Sequence, residues 1–172
     1  MTSEASKNRS LSSLLQPSKW DRSRVELGEH AARLDERLTL SLALHYGRDQ
    51  EHVLSLLQDV FWRLPIEVRI SLLEDALWRT GLHDEVPFLV PNMRYIFRIR
   101  NNLAHCITFG ATETNLTLHT VKRGRPETVE LSAEQLSWSM LMAEFCLVYF
   151  LRIEGRIGGI ETWGKAYGFT ER

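Results

Sequence analysis

The chain has 172 residues, of which 21 are basic and 22 acidic, for a formal charge of −1; 44% are hydrophobic and 25% charged. This is ordinary globular composition, enough for one domain with a sizeable core, and it excludes wholesale disorder. The near-balanced charge also excludes a constitutive basic coat of the kind that grips duplex nucleic acid through many phosphate contacts, while leaving room for a small local basic site.

Residues 1–19 mix Ser, Lys and Asn with a brief Leu11, Leu14, Leu15 cluster and are expected to form a flexible tail ahead of a single domain over 20–172. Asp21 is placed to cap a first helix reaching about Tyr46, with Val25, Ala32, Leu34, Leu38, Leu42 and Leu44 among its apolar positions and Gly47 as its stop. A second helix is predicted over Glu51–Trp62. Pro65 opens a third that ends before Gly81. The fourth starts between Glu85 and Pro91 and runs to about Ile107. Residues 115–121 and 128–131 alternate in β fashion around Arg123-Gly124-Arg125-Pro126, which predicts a small hairpin at about 115–131 inserted between helices. Ser132-Ala133-Glu134-Gln135 has the form of a capping box and opens a fifth, strongly apolar helix to about Arg152. After Gly155 the chain carries Ile160, Trp163, Tyr167 and Phe169, a segment expected to pack. The predicted fold is therefore all-α, a bundle of about five helices with one inserted hairpin.

The two cysteines, Cys106 and Cys146, lie among apolar neighbours and read as free thiols of a reducing compartment. No Cys/His set has zinc-ligand spacing, so neither metal nor cofactor is expected. The Ser-rich start lacks the apolar core of a signal peptide, and no uninterrupted apolar run reaches about 18 residues. A soluble cytoplasmic protein without a membrane partner is the expectation.

The fourth helix carries the chemistry. At ~100° per residue, with Ile96 as zero, Leu89, Met93, Ile96, Ile99, Leu103, Cys106 and Ile107 form a core stripe. Arg94, Arg98, Asn101 and His105 gather on the opposite face. Arg100, at ~40°, lies inside the apolar stripe, where an unpaired guanidinium is costly to bury. Glu144 on the fifth helix is the candidate buried partner for it.

Arg100-Asn101-Asn102-Leu103-Ala104-His105 resembles the Arg, polar residue, three further residues, His signature of the HEPN superfamily, the higher eukaryote and prokaryote nucleotide-binding domains. The wording is similar to the branch found in bacterial toxin and phage-defence proteins. The resemblance covers roughly residues 90–110, with a compatible helix order over 21–152. It implies a HEPN-like helical domain that cleaves RNA without metal at the interface of a homodimer, under the control of an antitoxin or regulatory protein in the toxin setting. Arg100, Asn101 and His105 would then be catalytic, with Arg94, Arg98 and Asn102 holding the RNA. The residue types suit that chemistry. An imidazole titrates near ~6.5 and so serves as acid or base at neutral pH. A guanidinium stays charged and presents a fork of donors to phosphate oxygens. Arg100 and His105 are ~140° apart around an ideal helix and ~7.5 Å apart along it, so one motif does not converge unaided. A partner motif across a two-fold axis, with a long Arg reaching around, answers this.

Other residues read more plainly. Trp62, Trp78 and Trp138 occur at helical spacing among aliphatics and are expected in the core. Lys122, Arg123 and Arg125, behind His119, read as a solvated basic turn, with a hairpin tip that guides RNA toward the cleft as the alternative. No Gly-rich phosphate loop or serine-nucleophile elbow is present. The rival to an enzyme is a non-catalytic helical interaction or regulatory module.

Overall fold

The computed structural model describes residues 19–106, 108–122 and 124–158. The expectations for the 1–18 tail and for Ile160, Trp163, Tyr167 and Phe169 lie outside the described residues. Five helices are α1 (Lys19–Tyr46), α2 (Gln50–Ser55), α3 (Ile66–Arg79), α4 (Leu89–His105) and α5 (Ala133–Ile157). Between α4 and α5 lies an antiparallel sheet of β1 (Thr108–Ala111), β2 (Asn115–Lys122) and β3 (Arg125–Ser132) in that order.

The long helices form a bundle with definite directions. α1 and α5 run parallel, since Arg37 reaches Glu154 at 3.1 Å and the His45 ring lies 2.8 Å from the Ile157 carbonyl. α4 runs against both. Arg24 of α1 donates to the Leu103 carbonyl near the end of α4, and the Cys146 thiol lies against the Leu89 carbonyl at its start. α3 is pinned to the later half of α1 by Arg69, which is buried, pairs with Asp35 at 2.6 Å and donates to Thr39 Oγ1. One core of Leu27, Leu34, Leu38, Leu73, Met93, Ile96, Ala143 and Phe150 fills the space between these four helices.

Local signals account for most element ends. Gly81 takes φ 71°, a left-handed conformation that closes α3 and disfavours side chains bearing a Cβ. The capping box is present in both halves: Gln135 N donates to Ser132 Oγ at 3.0 Å, and Ser132 N to Gln135 Oε1 at 2.8 Å. Leu116 pairs with Leu131 and Leu118 with Val129; Leu116, Leu118 and Leu131 are buried on the sheet's inner face. Gly124, at φ 76°, turns the chain between β2 and β3.

Several expectations are corrected. Lys19 and Trp20 are already helical, so Asp21 is inside α1 and not its cap. The second helix is α-helical only over Gln50–Ser55 and continues as a π turn and a 3₁₀ turn to Arg63. α4 stops at His105, because Cys106 is extended, and the residues after it supply β1, a strand the hairpin reading lacked. α5 is a turn longer than its sequence signals and reaches Ile157. Val25 and Ala32 are exposed, as are Trp62, Trp78 and Trp138. Trp62 and Trp78 find partners on the surface instead: the Arg69 guanidinium lies over Trp62, and Trp78 stacks on His83 with centroids 3.8 Å apart. By length and composition α5 could cross a membrane, and its inner face is built into the bundle core.

Candidate nucleic-acid site on the last turns of helix α4

α4 forms because its apolar residues fall on one side: Leu89, Met93, Ile96, Ile99 and Leu103 are buried as expected. Its last two turns carry the motif. His105 closes the helix in a position that favours a cation, where unpaired carbonyls accumulate. Arg24 places a guanidinium there by donating to the Leu103 carbonyl at 3.2 Å.

Arg100 is exposed, although its angle points it at the core, and Glu144 is exposed on α5 and does not pair with it. The physical reason is a gap between α1 and α4 beside Arg100. No residue of α3 lines the space beside Arg100, and a groove of about 430 Å³ opens there between α1 and α4. Asp21, Arg24, Val25, Gly28, Arg100 and Ala104 line it. An arginine at a core-facing angle thus stays hydrated because this groove opens beside it, between the buried Ile99 and Leu103. Its guanidinium donates to Asn101 Oδ1 at 3.1 Å, which swings it from the apolar stripe toward the polar face.

That polar face borders a second, larger cleft of about 730 Å³. Arg94, Arg98, Asn101 and Asn102 line it together, with Tyr95 and Pro91 from the same helix, Glu67 from α3 and Lys122 from the tip of β2. Four of the six predicted site residues therefore share one cleft. Arg100 faces the neighbouring groove and is joined to the cleft only through Asn101. His105 is exposed and lines neither. Among the described residues no hydrogen bond connects Arg100 with His105.

The cleft's charge is partly neutralised. Arg94 pairs with Glu74 at 2.8 Å, and Lys122 lies 4.0 Å from Glu127. Arg98 lies over the Tyr95 ring, 5.3 Å from its centroid. Arg98 and Arg100 are the motif-side cations that pair with no carboxylate among the described residues. Tyr95 and Lys122 were not assigned to the site from sequence. Tyr95 sits at ~260° on the helical wheel, beside the polar face, and its angle was the available signal. Lys122 depends on how the hairpin folds back, which no local pattern encodes.

The remaining reactive groups are structural. Burial pushes the Cys146 thiol up to about 12, out of reach of thiolate chemistry. Burial also raises the Glu154 carboxyl, against the pull of Arg37. Among the described residues no three His, Cys, Asp or Glu side chains gather as a metal-ligand set. Comparison of the chain with family models, with curated proteins and with solved structures finds no match in any of the three.

Proposed function

We propose that the chain is a HEPN-type, metal-independent endoribonuclease of the cytoplasm, acting as a toxin or phage-defence effector held in check by a partner protein. The observation that carries this reading is the exposure of both Arg100 and His105 on the last turns of one helix, with Arg100 drawn onto Asn101 at 3.1 Å beside a cleft lined by three cations. A guanidinium aimed at the polar face suits a phosphate oxygen. The cleft of Arg94, Arg98, Asn102 and Lys122 suits a single strand of RNA, with Tyr95 at its wall as a stacking surface.

The chemistry needs two proton-transfer groups. One imidazole takes the proton of the RNA 2′-OH as that oxygen bonds to phosphorus. The P–O5′ bond then breaks, leaving a 2′,3′-cyclic phosphate, and a second, protonated imidazole gives its proton to the departing 5′ oxygen. The motif holds a single His, and Arg100 and His105 diverge around the helix. Two copies of the chain supply both imidazoles and both guanidinium groups across a two-fold axis.

The test is incubation of RNA with the protein in EDTA, beside Arg100→Ala and His105→Ala. The wild type is expected to leave 2′,3′-cyclic phosphate ends, and each variant to lose about a hundredfold or more in rate. Cleavage that persists in the variants, or a wild type inert on every RNA, would overturn the proposal. Growth is a cheaper readout: expression of the wild type, but not of His105→Ala, should arrest cells. A second reading, a non-catalytic interaction module, is favoured by the Arg94–Glu74 pair, which spends one cleft cation inside the protein.

A further inference from the structure

Among the described residues, α5 presents one face to the bundle and nothing covers the other. On the outer face, Trp138 is 51% exposed, Leu141 40%, Phe145 54%, Val148 60% and Leu151 66%. At helical spacing these side chains form one stripe, rimmed by the exposed Glu134, Glu144 and Arg152. With large apolar side chains offering on the order of 150–250 Å² each, the stripe uncovers about 500 Å², near the upper range for the largest apolar patch of an ordinary monomer.

The spacing along this face is regular. Glu134, Trp138, Leu141, Phe145, Val148, Arg152 and Gly155 follow one another at alternating intervals of four and three, the heptad seam of a helix that packs on another helix. We propose that this seam binds the same seam of a second copy of the chain, with the two α5 helices antiparallel about a two-fold axis beside Ala143.

Charge selects the direction. In the antiparallel register Phe145 packs on Leu141 of the second copy and Trp138 on Val148, while Arg152 at one end meets Glu134 at the other. Both ends close with opposite charges, and every apolar seam position between them has an apolar partner. A parallel pair would set Glu134 against Glu134 and Arg152 against Arg152. Arg152 makes only a long pair with Glu85, at 3.9 Å, because that carboxylate is held in a two-point pair by Arg156, so an exposed carboxylate of a second copy competes for it. The register also brings the two Glu144 side chains near each other at the rim, a local cost that Glu144→Gln removes. Two stripes of this size offer about 1,000 Å² of apolar surface, with Leu151 at the flank of the seam included, at the low end for a specific interface.

The contact is independent of the ribonuclease reading and uses a different face. Trp20 and Ala133 bond to the 112–114 loop, so the start of α5 and the end of α4 lie at the same end of the bundle. An antiparallel α5 pair therefore carries its two motifs at opposite ends, and a chain making both contacts assembles beyond a dimer.

Mass measurement in solution by sedimentation and light scattering tests the proposal. The wild type should self-associate at about 100 µM, above the micromolar range open to an interface of this size. Phe145→Glu should lower the mass of the assembly by half or more while circular dichroism stays unchanged. Glu134→Arg and Arg152→Glu should each weaken the contact, an equimolar mixture of the two should restore it, and Glu144→Gln should tighten it. A monomer at that concentration overturns the proposal, including one that binds phosphatidylcholine vesicles through α5. So does an assembly that Phe145→Glu leaves intact, since its interface then lies elsewhere, as does a mixture no better than its two components.

Discussion

Replacing Glu74 with Gln should strengthen RNA binding without touching the motif. Glu74 holds Arg94 at 2.8 Å, with both side chains roughly 40% exposed. Such a pair contributes about 0.2–1 kcal/mol, so the substitution leaves the fold in place and returns one cation to the cleft. In the wild type, Arg98, Arg100 and in part Lys122 are available to phosphates, which predicts two to three contacts and a slope of log K against log salt of about −1.4 to −2.1 on a single strand. Glu74→Gln should steepen that slope by about 0.7. At moderate salt the gain should be about 1.5- to 5-fold in affinity, the value of the released pair. The assay is fluorescence anisotropy of an RNA with 2′-O-methyl riboses, which lacks the nucleophile and so reports binding alone, titrated across a salt series. An unchanged slope in Glu74→Gln, or a wild-type affinity indifferent to salt, would refute the assignment of this cleft to the phosphate backbone.

Three further outcomes follow from the packing. Arg69→Met should cost about 2–4 kcal/mol in urea unfolding, because it strands Asp35 beside the core, and Arg69→Met with Asp35→Leu should recover most of it. Glu154 holds its proton more tightly in the folded chain than its ordinary value of 4.5, so its contribution to stability falls as pH rises from there through the folded pKa. Glu154→Gln removes that fall; its melting temperature should gain on the wild type between pH 4.5 and 7, and a shrinking difference would contradict the sign. Ellman's reagent at pH 8 should titrate the half-buried Cys106 in the native protein and reach Cys146 only in denaturant, since burial holds that thiol near 12.

What was legible in the sequence was local. The capping box at Ser132 and Gln135, the stop at Gly81 and the core stripe of α4 from Leu89 to Leu103 each rest on residues within a turn or two of one another, and the structure has them as expected; Cys106 lies past the helix end, half-buried, and Ile107 is outside the described residues. What was not legible depends on where another element begins or ends. The wheel gave the angle of Arg100 correctly but not the groove beside it, which depends on how α1 lies against α4. The Glu74–Arg94 pair joins residues 20 apart on different helices. Trp62, Trp78 and Trp138 have core-like spacing and surface positions, because periodicity says that a face is apolar and not what covers it. The short β1 escaped notice for the same reason: only Thr108 and Phe109 favour a strand, Gly110 and Ala111 do not, and pairing with β2 makes the strand.

The central claim is a ribonuclease site shared by two chains, and dilution of wild-type protein with His105→Ala tests it most directly. RNA is kept in excess, the amount of wild type is held constant, and subunits are allowed to exchange. If each site needs both imidazoles, a ninefold excess of the variant converts most wild-type chains into inactive mixed pairs, and total cleavage should fall to about a tenth. Cleavage that stays constant as the variant is added would mean that each chain carries a complete site, and would contradict the account.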